Sequence, residues 1–348
     1  MIIFEAIRIL ILFALAFVVA MLFTPFVVNL LQKLNVKKTN IRDESSAPIF
    51  YQFHKGKSDT PTMGGIIIWG TVIGLAIIFF LLQKTFDGFA NYFNFVSRAE
   101  TYLPLASLFF AAIIGLVDDI YGIVGKGPHG GGLSVKQKLL LYTVISAVGA
   151  WWFYFRLGFN TLYIPFYGNI TMGWWYIPFF LFILIATSFS TNETDGLDGL
   201  AAGTLFFAFG ALAVISFAMH RFDLAAMNAV ILGAILAFLW FNIYPARFFM
   251  GDTGSMSLGI TLGVMVMLTN TALFLPFFGS ILIFESATVI IQVTSKKLRG
   301  KKVFLSTPIH HHFEALGWPE SQITMRFWIV SIVTTIIGLT LFFLARFL

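Results

Sequence analysis

A short polar stretch contains the residues best suited to chemistry. Asn192, Asp195 and Asp198 fall in the segment 191–200, which also holds two glycines and separates two strongly apolar runs. A carboxylate at a membrane boundary is costly unless it faces water, a metal or another charge, so these acids favour a functional interpretation. Asp195 and Asp198 are three residues apart and would share one face of a helical turn. Two such carboxylates suit Mg²⁺ and phosphate, although Thr194 or Asp195 could also serve only as a helix cap.

Two further acidic sites accompany this stretch. Asp118 and Asp119 follow an apolar run, where acids at a helix C-terminus would oppose the helix dipole. Neighbouring side chains on a helix point about 100° apart, so we expect the two acids to play different parts. Asp252 lies in a Met-Gly-Asp-Thr-Gly-Ser segment that ends at Ser255 and suits metal and phosphate binding at a helix start.

Other polar residues are weaker candidates. Asn242 and Phe249 lie close to Asp252 in the sequence and could line a base or ribose pocket. Lys57, shortly before Thr60, could meet a polyanion, but a lysine near the headgroups of a membrane is also ordinary.

The run His310-His311-His312 invites a zinc interpretation. Consecutive side chains rarely converge on one ion, and the acids elsewhere are hard oxygen ligands that favour Mg²⁺. We therefore expect one histidine to contact a phosphate or another substrate group, and at least one of the others to bond loop carbonyls.

The composition is that of a polytopic membrane protein. The chain has 348 residues, of which 58% are hydrophobic and 11% charged, with a mean hydropathy of +0.88. A soluble domain carries about 25% charged residues. Cysteine is absent, which excludes disulfides, thiolate metal sites and cysteine nucleophiles. We interpret residues 1–348 as a single membrane domain, and the net charge of +6 as a sign of membrane topology and anionic ligands rather than of nucleic-acid binding.

The apolar pattern predicts an all-α fold with ten transmembrane helices, since about 20 apolar residues span a bilayer. The predicted helices are 5–32, 62–82, 102–117, 137–156, 173–190, 199–219, 224–243, 255–270, 274–293 and 323–345. The segment 160–173 alternates and has a Gly-Asn turn signal, which predicts a small external hairpin.

Charge asymmetry predicts the orientation. With an even number of spans, both termini lie on one side, and only six of the 22 lysines and arginines fall on that side: Arg8, Lys84, Arg98, Arg156, Arg221 and Arg346. The positive-inside rule then places both termini outside. It also places the acids and histidines described above, and the cleft that they would form, on the cytoplasmic face.

Taken together, these motifs resemble the phospho-N-acetylmuramoyl-pentapeptide transferase family of the polyprenyl-phosphate N-acetylhexosamine-1-phosphate transferase superfamily. The resemblance extends from about residue 20 to the C-terminus, in the same order and spacing. The segments that carry it are Asp118-Asp119, 192–199, 249–255, 60–65 and 308–314.

The resemblance implies a reaction at the bacterial cytoplasmic (inner) membrane, in the first membrane step of peptidoglycan synthesis. Phospho-N-acetylmuramoyl-pentapeptide would pass from its UDP donor to undecaprenyl phosphate, giving lipid I and UMP with Mg²⁺ as cofactor. It further implies a homodimer. Because the second pKa of a phosphate is near 6, no strong base is obligatory, and we favour direct attack over a covalent intermediate.

The resemblance also implies residue roles. Asp118 and Asp119 would orient or deprotonate the lipid phosphate, and Asp252, with Asp195 beside it, would bind the metal. The implied substrate-binding residues are Lys57, Thr60, Lys136, Asn192, Asp195, Asp198, Asn242, Phe249, Ser255, His310 and His311.

Some positions depart from the usual family pattern, and other functions stay open. Phe189 stands where the family usually has asparagine, Glu193 where it has leucine, and Tyr244 where histidine is frequent. Ser58-Asp59 departs in the loop before Thr60. The nearer alternative is a sister enzyme that transfers N-acetylglucosamine phosphate. A transporter of anionic solutes is more distant, because transporter sites lie near the bilayer midplane, often between repeats, and no repeat is visible here.

Overall fold

The computed structural model describes residues 2–34, 36–37, 60–85, 89–96, 99–126 and 131–348. These residues form a helical bundle with one small hairpin. The helices are α1 (Ile2–Lys33), α2 (Ile66–Thr85), α3 (Phe89–Phe93), α4 (Ala99–Ile123), α5 (Val135–Trp151), α6 (Tyr176–Thr194), α7 (Leu200–Ala218), α8 (Phe222–Asn242), α9 (Gly251–Leu268), α10 (Leu275–Phe278), α11 (Ser280–Arg299), α12 (Ile309–Ala315) and α13 (Glu320–Phe347).

The helix pattern confirms the class of fold that the sequence predicts. Within the described ranges, nine helices are long and apolar enough to cross a membrane, and a bent pair would make a tenth span. The chain is therefore a multi-pass helical membrane protein. Predicted boundaries differ in places: α4 continues to Ile123, so that Asp118 and Asp119 lie inside the helix rather than at its end.

The ninth predicted span, 274–293, is not one helix. A turn of 3₁₀ helix and α10 together meet α11 at an angle of 90°. Gly279 lies at the break and Pro276 lies in the first turn of α10. Both residue types weaken a continuous helix, because glycine adds backbone freedom and proline removes an amide donor.

The structure contains a hairpin at the predicted position. Strands β1 (Thr161–Ile164) and β2 (Gly168–Thr171) pair antiparallel between α5 and α6. The amide of Tyr163 donates to the side chain of Asn270 at 3.0 Å, and this bond ties the hairpin to the turn that follows α9.

Helix α9 occupies the centre of the bundle, with 94% of its spanning window buried. It packs closely on α4 because Gly115 has no side chain. A Cβ atom at Gly115 would lie 2.3 Å from the carbonyl oxygen of Asp252. The absence of that atom lets the acidic part of α4 touch the first turn of α9, and so decides where Asp252 stands.

The end of the bundle away from Asp118 and Asp252 carries a second set of charged side chains, and these are paired with one another. Arg8 contacts Glu5 at 3.0 Å and Asp223 at 2.8 Å, while Arg221 lies 3.9 Å from Glu100. The three acids sit in the first turns of α1, α4 and α8, where carboxylates stabilise a helix N-terminus. A cavity of about 250 Å³ lies among them, far along the helices from Asp118 and Asp252.

Substitution of Gly115 tests the contact between α4 and α9. We expect Gly115→Ala to lower the melting temperature in detergent, since the added methyl meets backbone atoms and overpacking costs about 1–3 kcal/mol. Gly74→Ala in α2 is the matched control, because no heavy atom outside its own helix backbone lies within 4 Å of the added Cβ. An equal effect of the two substitutions would contradict the proposed close contact.

Candidate active site

The polar residues of the sequence meet at one end of the bundle because neighbouring helices run in opposite directions. Asp118 lies towards the end of α4, and Asn192 and Asn242 lie at the ends of α6 and α8. Lys138 and Asp252 lie in the first turns of α5 and α9. Five helices thus bring their polar ends to one place.

A lysine stands between two of the predicted acids. The Nζ atom of Lys138 lies 2.5 Å from Oδ2 of Asp118 and 2.9 Å from Oδ2 of Asp252. The Asp118 side chain is 1% exposed, while that of Asp252 retains 19%. Asp252 is therefore the carboxylate of this group that a substrate or ion can reach most directly.

Asp118 is fixed from a second side by the loop before α5. Its Oδ1 atom accepts the amide of Leu133 at 2.5 Å. The same loop starts α5 with a capping box, in which Ser134 and Gln137 satisfy each other's amides. This start of the helix places Lys138 on the face that meets the acids.

Asp119 has a different set of partners, as the angle between neighbouring side chains predicts. Its two oxygens accept the amides of Asp252 at 3.1 Å and Thr253 at 2.9 Å. Asp119 thus caps the N-terminus of α9 from another helix and fixes the backbone that carries Asp252.

Asn192 completes the surroundings of Asp252. Its amide group donates to Oδ1 of Asp252 and, at 3.1 Å, to the hydroxyl of the buried Ser255. The Asp252 side chain therefore has a fixed orientation, with one oxygen on an amide and the other on an ammonium group.

Residues 195–199, here called the acid loop, connect α6 to α7. Asp198 in this loop is buried, and its carboxylate accepts the amide of Ala246 at 3.0 Å. Asn242 accepts the amide of Gly199 at 3.0 Å and donates to the carbonyl of Phe248 at 2.8 Å. Asp195 is half-buried and directly follows α6. Asp198 and Asn242 thus hold the loop in place through hydrogen bonds.

The loop before α9 packs against the entry to α2. The amide of Phe249 donates to Pro61 and its carbonyl accepts from Gly64, both at 2.8 Å. Phe249 and Thr60 are each half-buried beside this contact. Lys57 lies outside the described residues.

The histidines occupy the short helix α12, where the sequence predicts a loop. His310 is fully buried beside Glu285, with 3.0 Å between Nδ1 and Oε2. His311 is nearly buried and contacts Glu314 at 2.6 Å. Burial opposes a charge on His310, but the carboxylate of Glu285, with further charge from Glu314 and Glu193, raises the pKa of His310 above its ordinary value.

Lys138 is the site residue that the sequence analysis did not single out. Lys136, which was chosen instead, is exposed. The sequence held a partial signal, because a lysine early in a helix opposes the helix dipole as much as an aspartate late in one does, but Lys136 shares this signal. Lys138 and Asp118 are such a pair, and the contact between their opposite charges compensates for the unfavourable position of each in its own helix.

The donor set fits a magnesium ion better than zinc. In the part of the chain that the structure describes, no three His, Asp or Glu side chains converge as a metal cluster. Mg²⁺ is usually held by one or two carboxylates together with substrate phosphates and water, and it prefers oxygen donors. The partly exposed carboxylate of Asp252 supplies such a donor without any cysteine.

Comparison with known proteins agrees with this architecture. The glycosyl transferase family 4 model matches residues 101–270, and phospho-N-acetylmuramoyl-pentapeptide-transferase signature 1 matches residues 57–68. The fold and these two matches together indicate a polytopic membrane protein similar to the glycosyl transferases of family 4.

Full-length relatives specify the family further. Phospho-N-acetylmuramoyl-pentapeptide-transferases from Desulforamulus reducens and Clostridium novyi are 38% and 37% identical to the chain. These matches cover 93% of the chain, and 92% and 93% of the respective relatives. The relative from Geobacillus thermodenitrificans is 36% identical over 94% of the chain and 95% of its own length.

The chain therefore belongs to the phospho-N-acetylmuramoyl-pentapeptide transferase family. It is an enzyme, a glycosyl-phosphate transferase of peptidoglycan synthesis.

Substitution of Lys138 and of Lys136 tests which lysine belongs to the site. The structure indicates Lys138, whereas the sequence analysis indicates Lys136. Lys138→Met leaves the buried carboxylate of Asp118 without its cation, and breaking a buried pair costs about 3–5 kcal/mol. We expect a lower melting temperature in detergent and a larger loss of transferase activity than in Lys136→Met. A larger loss in Lys136→Met would favour the choice made from sequence.

The pH dependence of stability tests the charge on His310. Because the folded-state pKa lies above the unfolded value of about 6.5, the stabilisation is complete below about pH 6.5 and is lost as pH rises through the folded-state pKa. We expect the melting-temperature difference between wild type and His310→Gln to narrow as pH rises from about 6 to 9. A difference that is constant with pH would show that His310 is neutral in the folded protein.

Proposed function

We propose that the protein transfers phospho-N-acetylmuramoyl-pentapeptide from UDP-N-acetylmuramoyl-pentapeptide to undecaprenyl phosphate, releasing UMP and giving lipid I. The observation that carries this proposal is the meeting of Asp118, Lys138, Asn192 and Asp252 at one end of a membrane bundle. Such a place can receive one reactant from the bilayer and another from water. The family relationship supports the choice of both substrates.

In the proposed reaction, an oxygen of the lipid phosphate attacks the phosphorus that bears the sugar. The bond from that phosphorus to the UMP oxygen breaks, and UMP leaves with the electron pair. Both reactants are anions, and a bound Mg²⁺ would screen their charges and stabilise the charge that develops on UMP.

The residues of the chain supply position and charge for this reaction. Asp252 is the proposed magnesium ligand, with Asp195 assigned beside it from the family resemblance. The Lys138 ammonium, which contacts Asp118 and Asp252, adds positive charge where phosphate groups would meet. Asp118 orients the lipid phosphate, and Asp119 holds the first turn of α9. Direct attack remains our preferred route, since a phosphate with its second pKa near 6 is already largely ionised at neutral pH.

We further propose that this end of the bundle faces the cytoplasm and that both termini lie outside the inner membrane. The excess of lysine and arginine in the loops at the same end supports this orientation. We also propose a single membrane domain over residues 1–348, as the composition indicates, and a homodimer, as the family resemblance implies. The contact residues proposed for substrate are Thr60, Asn192, Asp195, Asp198, Asn242, Phe249, Ser255 and His311, together with Lys57 and Lys136. The family resemblance also implies His310, but its side chain is fully buried and it is not proposed as a contact.

Release of UMP by the purified protein tests the reaction. With UDP-N-acetylmuramoyl-pentapeptide, undecaprenyl phosphate and Mg²⁺, we expect UMP and a lipid-linked sugar, and we expect EDTA to abolish both. Asp252→Asn should remain folded and lose activity by roughly two or more orders of magnitude, because it removes the proposed carboxylate ligand of the metal that would stabilise the charge on UMP.

Donor exchange separates the alternatives. Release of UMP only from UDP-N-acetylglucosamine would indicate the sister reaction. A folded wild-type protein that releases UMP from neither donor would contradict the proposal. Near-normal turnover by Asp252→Asn would remove that residue from the site.

A further inference from the structure

Glu285 and His310 lie in contact in the interior of the protein, and both side chains are fully buried. Besides the 3.0 Å contact with the imidazole, Oε2 of Glu285 lies 3.5 Å from the backbone amide of His310. The pair joins the second turn of α11 to the first turn of α12. Removing two charges from water is costly, so a pair of this kind calls for a role beyond general stability.

The other edge of the imidazole faces the acid loop. A Cβ atom at Gly196 would lie 2.2 Å from Nε2 of His310, so that only glycine leaves room for the ring at this point. Gly196 lies between Asp195 and Asp198. The position of the His310 ring therefore limits where the acid loop can lie.

An apolar cluster is formed in part by the same elements that carry the pair. Its members come from the acid loop and from α7, α11, α12 and α13: Leu197, Leu200, Ile281, Ile309, Ile323 and Phe327. In this arrangement His310 has no exposed surface with which to meet a substrate. Its influence on the reaction has to pass through the loop above it.

Other charged groups around His310 have assignments of their own. Glu314 on α12 contacts His311, whose ring centroid lies 4.0 Å from that of His310. Glu193 at the end of α6 adds negative charge from a third element. The carboxylate of Glu285 contacts the imidazole of His310 at 3.0 Å.

Helix α11 also reaches the polar end of α6 next to this pair. Ser286 donates to the hydroxyl of Ser190 at 2.7 Å, and Asn192, two residues further on, contacts Asp252. The amide of Asp195 in turn donates to the carbonyl of Asn192 at 3.3 Å. The support beneath the acid loop is thus continuous with the network around Asp252.

We propose that Glu285 is a positioning residue for the transfer reaction, which holds the His310 imidazole under Gly196 and so fixes the acid loop beside Asp252. The expected change in kcat rests on the proposed function. The expected change in the acid loop rests on the geometry alone. Glu285 acts through His310 and does not itself touch substrate.

A double-mutant cycle tests this chain of contacts. Glu285→Gln keeps the side-chain volume and removes the charge. We expect kcat per folded enzyme to fall roughly 10- to 100-fold, as a displacement of about 1 Å near reacting groups can produce. His310→Gln should lose a similar factor, and the double variant should lose no more than the larger single loss, because both substitutions break one pathway. Glu285→Asp, which retains the charge, should recover part of the activity.

Amide hydrogen exchange provides a readout that does not need turnover. In detergent, peptides that cover residues 195–199 should exchange faster in Glu285→Gln than in wild type. Glu100→Gln, a carboxylate substitution at the opposite end of the bundle, should leave both kcat and this exchange unchanged. If wild type shows no turnover, the proposed reaction fails while the exchange measurement still decides the positioning role.

The contrary outcomes are distinct. If Glu285→Gln has the same kcat and the same amide hydrogen exchange as the wild-type protein, the proposal is overturned. If the fold-losses in kcat of the two single variants multiply in the double variant, Glu285 acts independently of His310. That result would also overturn the proposal. A loss of activity in both Glu285 variants that matches the loss of folded protein would assign the pair to stability alone.

Discussion

The ammonium group of Lys138, held between the carboxylates of Asp118 and Asp252, is the interaction on which the candidate site depends. It joins three helices, α4, α5 and α9, through charges that would be costly to bury singly. Because Asp118 is almost fully buried, its place in the bundle requires a cation nearby. Asp252 keeps partial exposure and can serve both the lysine and a ligand.

The two ends of the bundle use the same residue types differently. At the end with Arg8, acids occupy the first turns of helices, where the helix dipole favours them, and arginines neutralise them. At the other end, Asp118 lies late in its helix and Lys138 early in its own, against both dipoles. Their mutual contact compensates for this placement. Charges that oppose their own helices and still remain buried are typical of a site retained for function.

The sequence predicts the spans well because hydropathy is a local property. It also predicts that Asp118, Asp252 and Asn192 share one end of the bundle, since alternating helix directions bring them there. The hairpin could be predicted from its alternation and turn. The 90° bend between α10 and α11 could not be predicted from the local sequence, because glycine and proline also occur in continuous membrane helices.

The partners of individual side chains were beyond reach of the sequence. Nothing local distinguishes Lys138 from Lys136, or shows that Asp119 would cap α9 across a helix interface. The burial of His310 depends on Gly196 and Glu285, which are distant from it in the sequence and meet only in the fold. Such contacts follow from tertiary packing, which local pattern does not encode.

The geometry also bears on how a metal would join the site. The chain offers Asp252 and, behind the lysine, Asp118, whereas Mg²⁺ requires near-octahedral oxygen coordination and keeps several waters. If Mg²⁺ binds at Asp252 as proposed, the remaining ligands would come from water and the diphosphate of the proposed donor. Binding of the metal and of the donor would then be coupled, because each would supply charge that the other needs. The metal would complete its coordination only with the donor present, which is when the proposed reaction requires it.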